Sequence, residues 1–136
     1  MEETGPKILL VDDDPDIRIA IGAVLQSRNY RVVTARDGGE ALDMLKEESP
    51  DLMILDLMMP RVDGFTVLKE LKEPGWAHVK GMPVVVLTSV REDAGRRRYE
   101  LETALRMDVD DYVEKPIDPF VLLGRIQPFL KGAQAP

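Results

Sequence analysis

Five short apolar runs punctuate the chain, and stretches with apolar residues at helical spacing separate them. Residues 7–11, KILLV, form the first run; 30–35, YRVVTA, the second; and 52–55, LMIL, the third. The third is apolar at every position, which marks a strand covered on both faces and therefore a parallel sheet. It ends on Asp56. Residues 83–87, PVVVL, repeat the signature and end in Thr88 and Ser89. Residues 111–113, DYV, give a shorter fifth strand that runs into Glu114, Lys115 and Pro116.

The intervening stretches read as helices. After the first strand come Asp12, Asp13 and Asp14, then Pro15. Asp14 suits an N-cap and Pro15 the first helical position, and Ile17, Ile21, Val24 and Leu25 then recur at helical spacing. Asp37-Gly38-Gly39 breaks the second strand, and 40–48 form a helix with Ala41, Leu42, Met44 and Leu45 inward, closed by Pro50. Residues 65–72 place Phe65, Leu68 and Leu71 on one side and are broken by Pro74-Gly75. Residues 91–106 are charge-rich and predict a helix with a solvated face, with Leu101, Ala104 and Leu105 as buried contacts. Asp118-Pro119 repeats the cap-and-proline start, and Phe120, Leu123 and Ile126 mark a last helix that ends near Pro128. Strand and helix thus alternate five times. The expected fold is α/β: a five-stranded parallel sheet, doubly wound, with right-handed crossovers.

In such a sheet the carboxyl ends of the strands converge on one crevice. Those ends carry Asp12 and Asp13, Asp56, Thr88 and Lys115. Asp14 is left out because it caps a helix. Three carboxylates in one crevice repel one another, and a hard divalent cation relieves them; carboxylates and water suit Mg²⁺. Lys115 adds an ammonium and Thr88 a hydroxyl. With metal, ammonium and hydroxyl around it, the Asp56 carboxylate can attack phosphorus and form an acyl phosphate.

Composition narrows the field. The chain has 136 residues, 44% hydrophobic and 32% charged, which suits one soluble domain, 1–136, with a core at about 7–131. The tail 131–136 is too short for a second domain, so no output module is expected. A net charge of -7 disfavours direct binding of nucleic acid. The absence of cysteine excludes disulfides, thiol nucleophiles and thiolate zinc sites, and fits a cytoplasmic location. The start, MEETGPK, is unlike a signal peptide, and no apolar run approaches the ~20 residues of a spanning helix.

Four pieces in this order and spacing carry a family resemblance: ILLVDDDP at 8–15, ILDLMMPRVDG at 54–64, VVVLTS at 84–89 and DDYVEKPI at 110–117. The chain resembles the CheY-like receiver domain of two-component response regulators. The resemblance implies a flavodoxin-like (βα)5 fold with strand order 2-1-3-4-5. It implies that Asp56 accepts a phosphoryl group from a sensor histidine kinase or a histidine phosphotransfer protein. It implies Mg²⁺ held by Asp13, Asp56 and the backbone carbonyl of Met58, with Asp12 helping through water. Thr88 and Lys115 become the phosphoryl-contacting hydroxyl and ammonium, and Tyr112 the aromatic switch. A downstream effector would meet the face made by the fourth helix, fifth strand and fifth helix. The domain would catalyse only its own phosphorylation and dephosphorylation, and a weak homodimer stays open.

The chain departs from the family pattern in places. Asp108-Val109 stand where a Gly-Ala pair is usual, and the segment between Thr88 and Tyr112 is a few residues longer than in short members. Met58 and Val90 are apolar at positions that tune dephosphorylation. His78, the sole histidine, reads as a surface residue, Trp76 as loop packing against the third helix, and Arg96, Arg97 and Arg98 as a solvated helix face. Other function classes share parts of the pattern. A Mg²⁺-dependent aspartyl-phosphate phosphohydrolase would carry a second acid two residues after its nucleophile, where Met58 stands. A nucleotide or flavin module would carry a Gly-rich loop after the first strand, where acids stand. A phosphorylation-independent scaffold receiver would keep the fold and drop the chemistry.

Overall fold

The structure is a computed structural model that describes residues 5–59, 61–88 and 109–134. In chain order its elements are β1 (Lys7–Val11), α1 (Pro15–Ser27), β2 (Arg31–Ala35), α2 (Gly38–Glu48), β3 (Leu52–Asp56), α3 (Gly64–Glu70), a 3-10 turn (Pro74–Val79), β4 (Val84–Thr88), β5 (Asp111–Glu114) and α4 (Pro119–Gln134). The strands of the described residues form one sheet in the order β2-β1-β3-β4-β5, and every pairing is parallel. The fold expected from the sequence is the fold observed.

Alternate residues of each strand serve opposite faces of the sheet. Leu9, Val11, Met53, Leu55, Val84 and Val86 pack with Ala41 and Leu45 of α2 and Val67 and Leu68 of α3. Ile8, Leu10, Leu52, Ile54, Val85 and Leu87 pack with Ile21 and Leu25 of α1 and Leu122, Leu123 and Ile126 of α4. All five residues of β3 and of β4 are buried, which explains why both strands read as unbroken apolar runs.

The register lines up the strand ends. Val11 pairs with Leu55, Asp56 with Leu87, and Thr88 with Glu114. Asp12 and Asp56 are therefore neighbours one step past a paired couple. Lys115 follows Glu114, and its amide donates to the Thr88 carbonyl at 2.7 Å.

Several boundaries differ from the sequence reading. The Gly38-Gly39 pair opens α2 instead of only breaking a strand. Asp37 caps that helix by accepting from the Glu40 amide at 2.9 Å. Gly38 is needed there because a Cβ would lie 2.4 Å from the Val62 carbonyl oxygen. Tyr30 precedes β2 and is buried in the core. The 3-10 turn after α3 was not foreseen. Trp76 within it packs against α3 as expected, its Nε1 donating to Glu70 at 3.2 Å, with Lys46 of α2 over the ring. His78 is exposed, as expected, but stacks on Trp76 and contacts the Leu45 carbonyl at 3.2 Å. The last helix continues through Pro128 to Gln134. Pro128 costs the helix one hydrogen bond, yet continuing it buries Leu130 beside Ile126 in the core. The predicted helix 91–106, with Leu101, Ala104, Leu105 and the arginine run, lies outside the described residues, as do Ser89, Val90 and Asp108.

Candidate functional site

Asp12 stands one residue past β1 and is fully buried. Its amide donates to the Ala35 carbonyl at 3.2 Å, and its Oδ1 accepts from the Asp14 amide at 2.9 Å. Asp14 is the N-cap of α1, accepting from the Asp16 amide, so the acid run divides as its chemistry predicts. Arg18, one turn into α1, reaches back and donates from Nη1 to the Asp12 carbonyl at 2.6 Å. Nothing in the sequence pattern singled out Arg18, because a polar residue in the first turns of a helix has many ordinary uses.

Asp56 ends β3 and is 1% exposed. Its Oδ1 accepts from the Met58 amide at 3.1 Å, and its Oδ2 accepts from Lys115 Nζ at 3.2 Å. The same ammonium lies 3.1 Å from Asp12 Oδ2 as an ion pair. One lysine thus bridges two buried carboxylates. Asp13 is exposed, and ligand atoms of Asp12, Asp13 and Asp56 all lie within 4.8 Å of one another. This is the one such acidic group among the described residues, and it could hold a metal ion.

The charges do not balance. Burial, and next the charge of Asp12, push the Asp56 carboxyl up to about 7, against the pull of Lys115 and the Met58 amide. Burial likewise raises Asp12, despite its hydrogen bond with the Asp14 amide and the nearby Lys115. Burial alone would lower Lys115, but the charges of Asp56 and Asp12 outweigh it and hold the ammonium above its ordinary value.

Thr88 ends β4, is fully buried, and its Oγ1 has no hydrogen-bond partner among the described residues. An unmet buried hydroxyl costs about 1–3 kcal/mol. Behind the crevice, the N-terminus of α3 comes close to β3. A Cβ on Gly64 would lie 2.5 Å from the Asp56 carbonyl oxygen and 2.7 Å from Leu57 Cα, so only glycine fits there. Tyr112 on β5 is 36% exposed and takes no part in the crevice. Among the residues singled out in the sequence, the structure gathers Asp12, Asp13, Asp56, Thr88 and Lys115 with Met58 beside them, and leaves Tyr112 at the surface. Among the described residues no helix is long and apolar enough to cross a membrane.

Comparison with known proteins agrees with this geometry. The family model described as "Response regulator receiver domain" matches residues 8–127. The "Probable transcriptional regulator ycf27" of Guillardia theta is 40% identical over 95% of this chain and 47% of its own length. The "Transcriptional regulatory protein AfsQ1" of Streptomyces coelicolor is 35% identical over 95% of this chain and 53% of its own. The chain therefore spans about half the length of the curated relatives it matches. Among solved structures, the Vibrio cholerae chemotaxis protein CheY4 superposes with a TM-score of 0.80 at 28% identity, over 93% of this chain and 99% of that one. A receiver domain from Bermanella marisrubri gives a TM-score of 0.79 at 32% identity, over 93% and 98%. With the sheet order, the acid crevice and these matches together, the chain belongs to the receiver domains of the response regulators of two-component signalling.

Proposed function

We propose that Asp56 accepts a phosphoryl group from a histidine kinase or histidine phosphotransfer protein and that the phosphorylated domain changes its binding of a partner protein. The observation that carries this reading is the single ammonium of Lys115 spanning two buried carboxylates, Asp12 and Asp56, in a cluster of three. One cation against three acids leaves room for a divalent ion. Asp13, Asp56 and the Met58 carbonyl would hold Mg²⁺, with Asp12 reached through water. Bound there, the ion would neutralise the crevice and charge on the phosphoryl group.

The chain's own groups then divide the work. A carboxylate oxygen of Asp56 attacks phosphorus, a phosphorus–oxygen bond forms, and the phosphorus–nitrogen bond to the donor histidine breaks with its electron pair staying on nitrogen. Lys115 sits 3.2 Å from the acceptor carboxylate, where it can offset charge on the transferred group. The partnerless Thr88 hydroxyl can donate to a phosphoryl oxygen, which relieves its burial only in the phosphorylated state. Movement of Thr88 would free space toward β5, and Tyr112 would turn inward from its exposed position. Phe120, Val121 and Phe129 on α4 are exposed apolar side chains that an effector can meet.

Incubation with acetyl phosphate and Mg²⁺ should add one phosphoryl group by intact mass, and Asp56→Asn should abolish it. Equal labelling of the Asp56→Asn variant would overturn the assignment.

A further inference from the structure

We propose that Arg18 is a positioning residue for the metal site, acting on Asp13 through the peptide group that joins Asp13 to Asp12; this rests on the Mg²⁺ reading of the acid cluster above. Among the described residues no hydrogen bond or ion pair holds the exposed Asp13 carboxylate, so its place is set by the backbone on either side. On the following side, α1 begins at Pro15 with Asp14 as its cap. On the preceding side stands the Asp12–Asp13 peptide. A peptide group is planar, so an anchor on the Asp12 carbonyl oxygen also fixes the direction of the Asp13 nitrogen.

That anchor is the half-buried Arg18, whose Nη1 donates to the Asp12 carbonyl at 2.6 Å. Asp12 is tied elsewhere as well, by its amide to Ala35 and by its Oδ1 to the Asp14 amide. The first holds the strand end, and the second ties the peptide that follows Asp13. Of the three, only the Arg18 contact acts on the peptide leading into Asp13. The guanidinium reaches this carbonyl from α1, so the helix that follows the two acids also braces the link between them.

Charge and position make opposite demands, and this decides the test. A guanidinium near a divalent cation repels it, so removing Arg18 for its charge alone would tighten Mg²⁺ binding. If Arg18 holds Asp13 in place, removing it weakens Mg²⁺ binding instead. Outer partners that orient metal ligands usually cost ten- to hundredfold when lost, and a brace on one peptide group belongs at the low end.

The experiment is calorimetric Mg²⁺ titration of the full chain as wild type, Arg18→Met and Arg18→Lys, each well below its own melting temperature. We expect Arg18→Met to bind Mg²⁺ roughly tenfold more weakly. Arg18→Lys keeps the charge and one donor and should recover part of the loss. Affinity in Arg18→Met equal to or tighter than wild type overturns the proposal, even if its melting temperature falls. Should Arg18→Met not fold, Arg18→Gln, whose shorter amide falls short of the carbonyl, carries the same comparison with the same two outcomes. If wild type itself binds no Mg²⁺, the metal reading fails, and the brace fails with it; if wild type binds and the variants match it, only the brace fails.

Discussion

Asp56 binds a proton more tightly in the fold than out of it. Its carboxyl sits near 7 when folded, because of burial and then Asp12, against an ordinary value of 3.8. Between those two values the folded state holds a proton that the unfolded state has lost, so stability falls as pH rises through the window. Asp12 is raised as well and acts in the same direction, while Lys115 stays charged throughout. Metal-free protein should lose about 2–4 kcal/mol between pH 4 and pH 8, and Asp56→Asn should flatten most of that slope. Urea unfolding at the two pH values checks this; parallel slopes for wild type and variant would refute it. Thr88 offers a second residue-scale test. Replacing its partnerless hydroxyl with a methyl, in Thr88→Val, should stabilise metal-free protein by about 1 kcal/mol while blunting the spectral response to phosphorylation. Sequence showed these residues because each sits at the end of an apolar run. It could not show Arg18, whose contact depends on a side chain crossing from a helix to a strand end, nor the Met58 amide, which is backbone.

The elements were legible where one physical signal set them and less so where two competed. β3 and β4 read directly because both faces are covered. The start of α2 was misplaced because Gly38-Gly39 weakens a helix in isolation, yet here the missing Cβ admits the Val62 carbonyl. The end of α4 was misplaced because Pro128 is a local stop, while Leu130 beyond it is 1% exposed and draws the helix on. The segment 91–106 lies outside the described residues, so its helix stays an expectation. α3 gives the element-scale prediction. Gly64→Ala would push its N-terminus off the Asp56 carbonyl and Leu57, with backbone atoms on both sides unable to yield. We expect a loss of about 2–3 kcal/mol by denaturant unfolding and, if Asp56 is the acceptor, slower phosphoryl uptake, because the clash bears on the backbone of Asp56. Unchanged stability would mean that α3 can slide.

The described residues form one sheet with a separate apolar cluster on each face. Leu45 of α2 belongs to one cluster and Ile126 of α4 to the other, and both are fully buried. Leu45→Ala and Ile126→Ala should each cost about 3 kcal/mol, and the double variant should cost their sum to within ~0.5 kcal/mol. A clear departure from additivity by equilibrium unfolding would show that the sheet transmits strain between its faces. The alternation of strand and helix made this architecture readable, and the strand-end residues marked the end of the sheet where Asp12, Asp13 and Asp56 cluster. Trp76 lies at the other end. It shares a groove with Val84, where β4 begins, whereas Thr88 stands where β4 finishes, about 13 Å away along the strand. It is the chain's sole tryptophan, stacked with His78 and roofed by Lys46. Its emission is therefore a built-in optical gauge of global unfolding that any ion bound at the crevice should leave undimmed, and any brightness change on phosphorylation would time the arrival of the signal at the far end of β4.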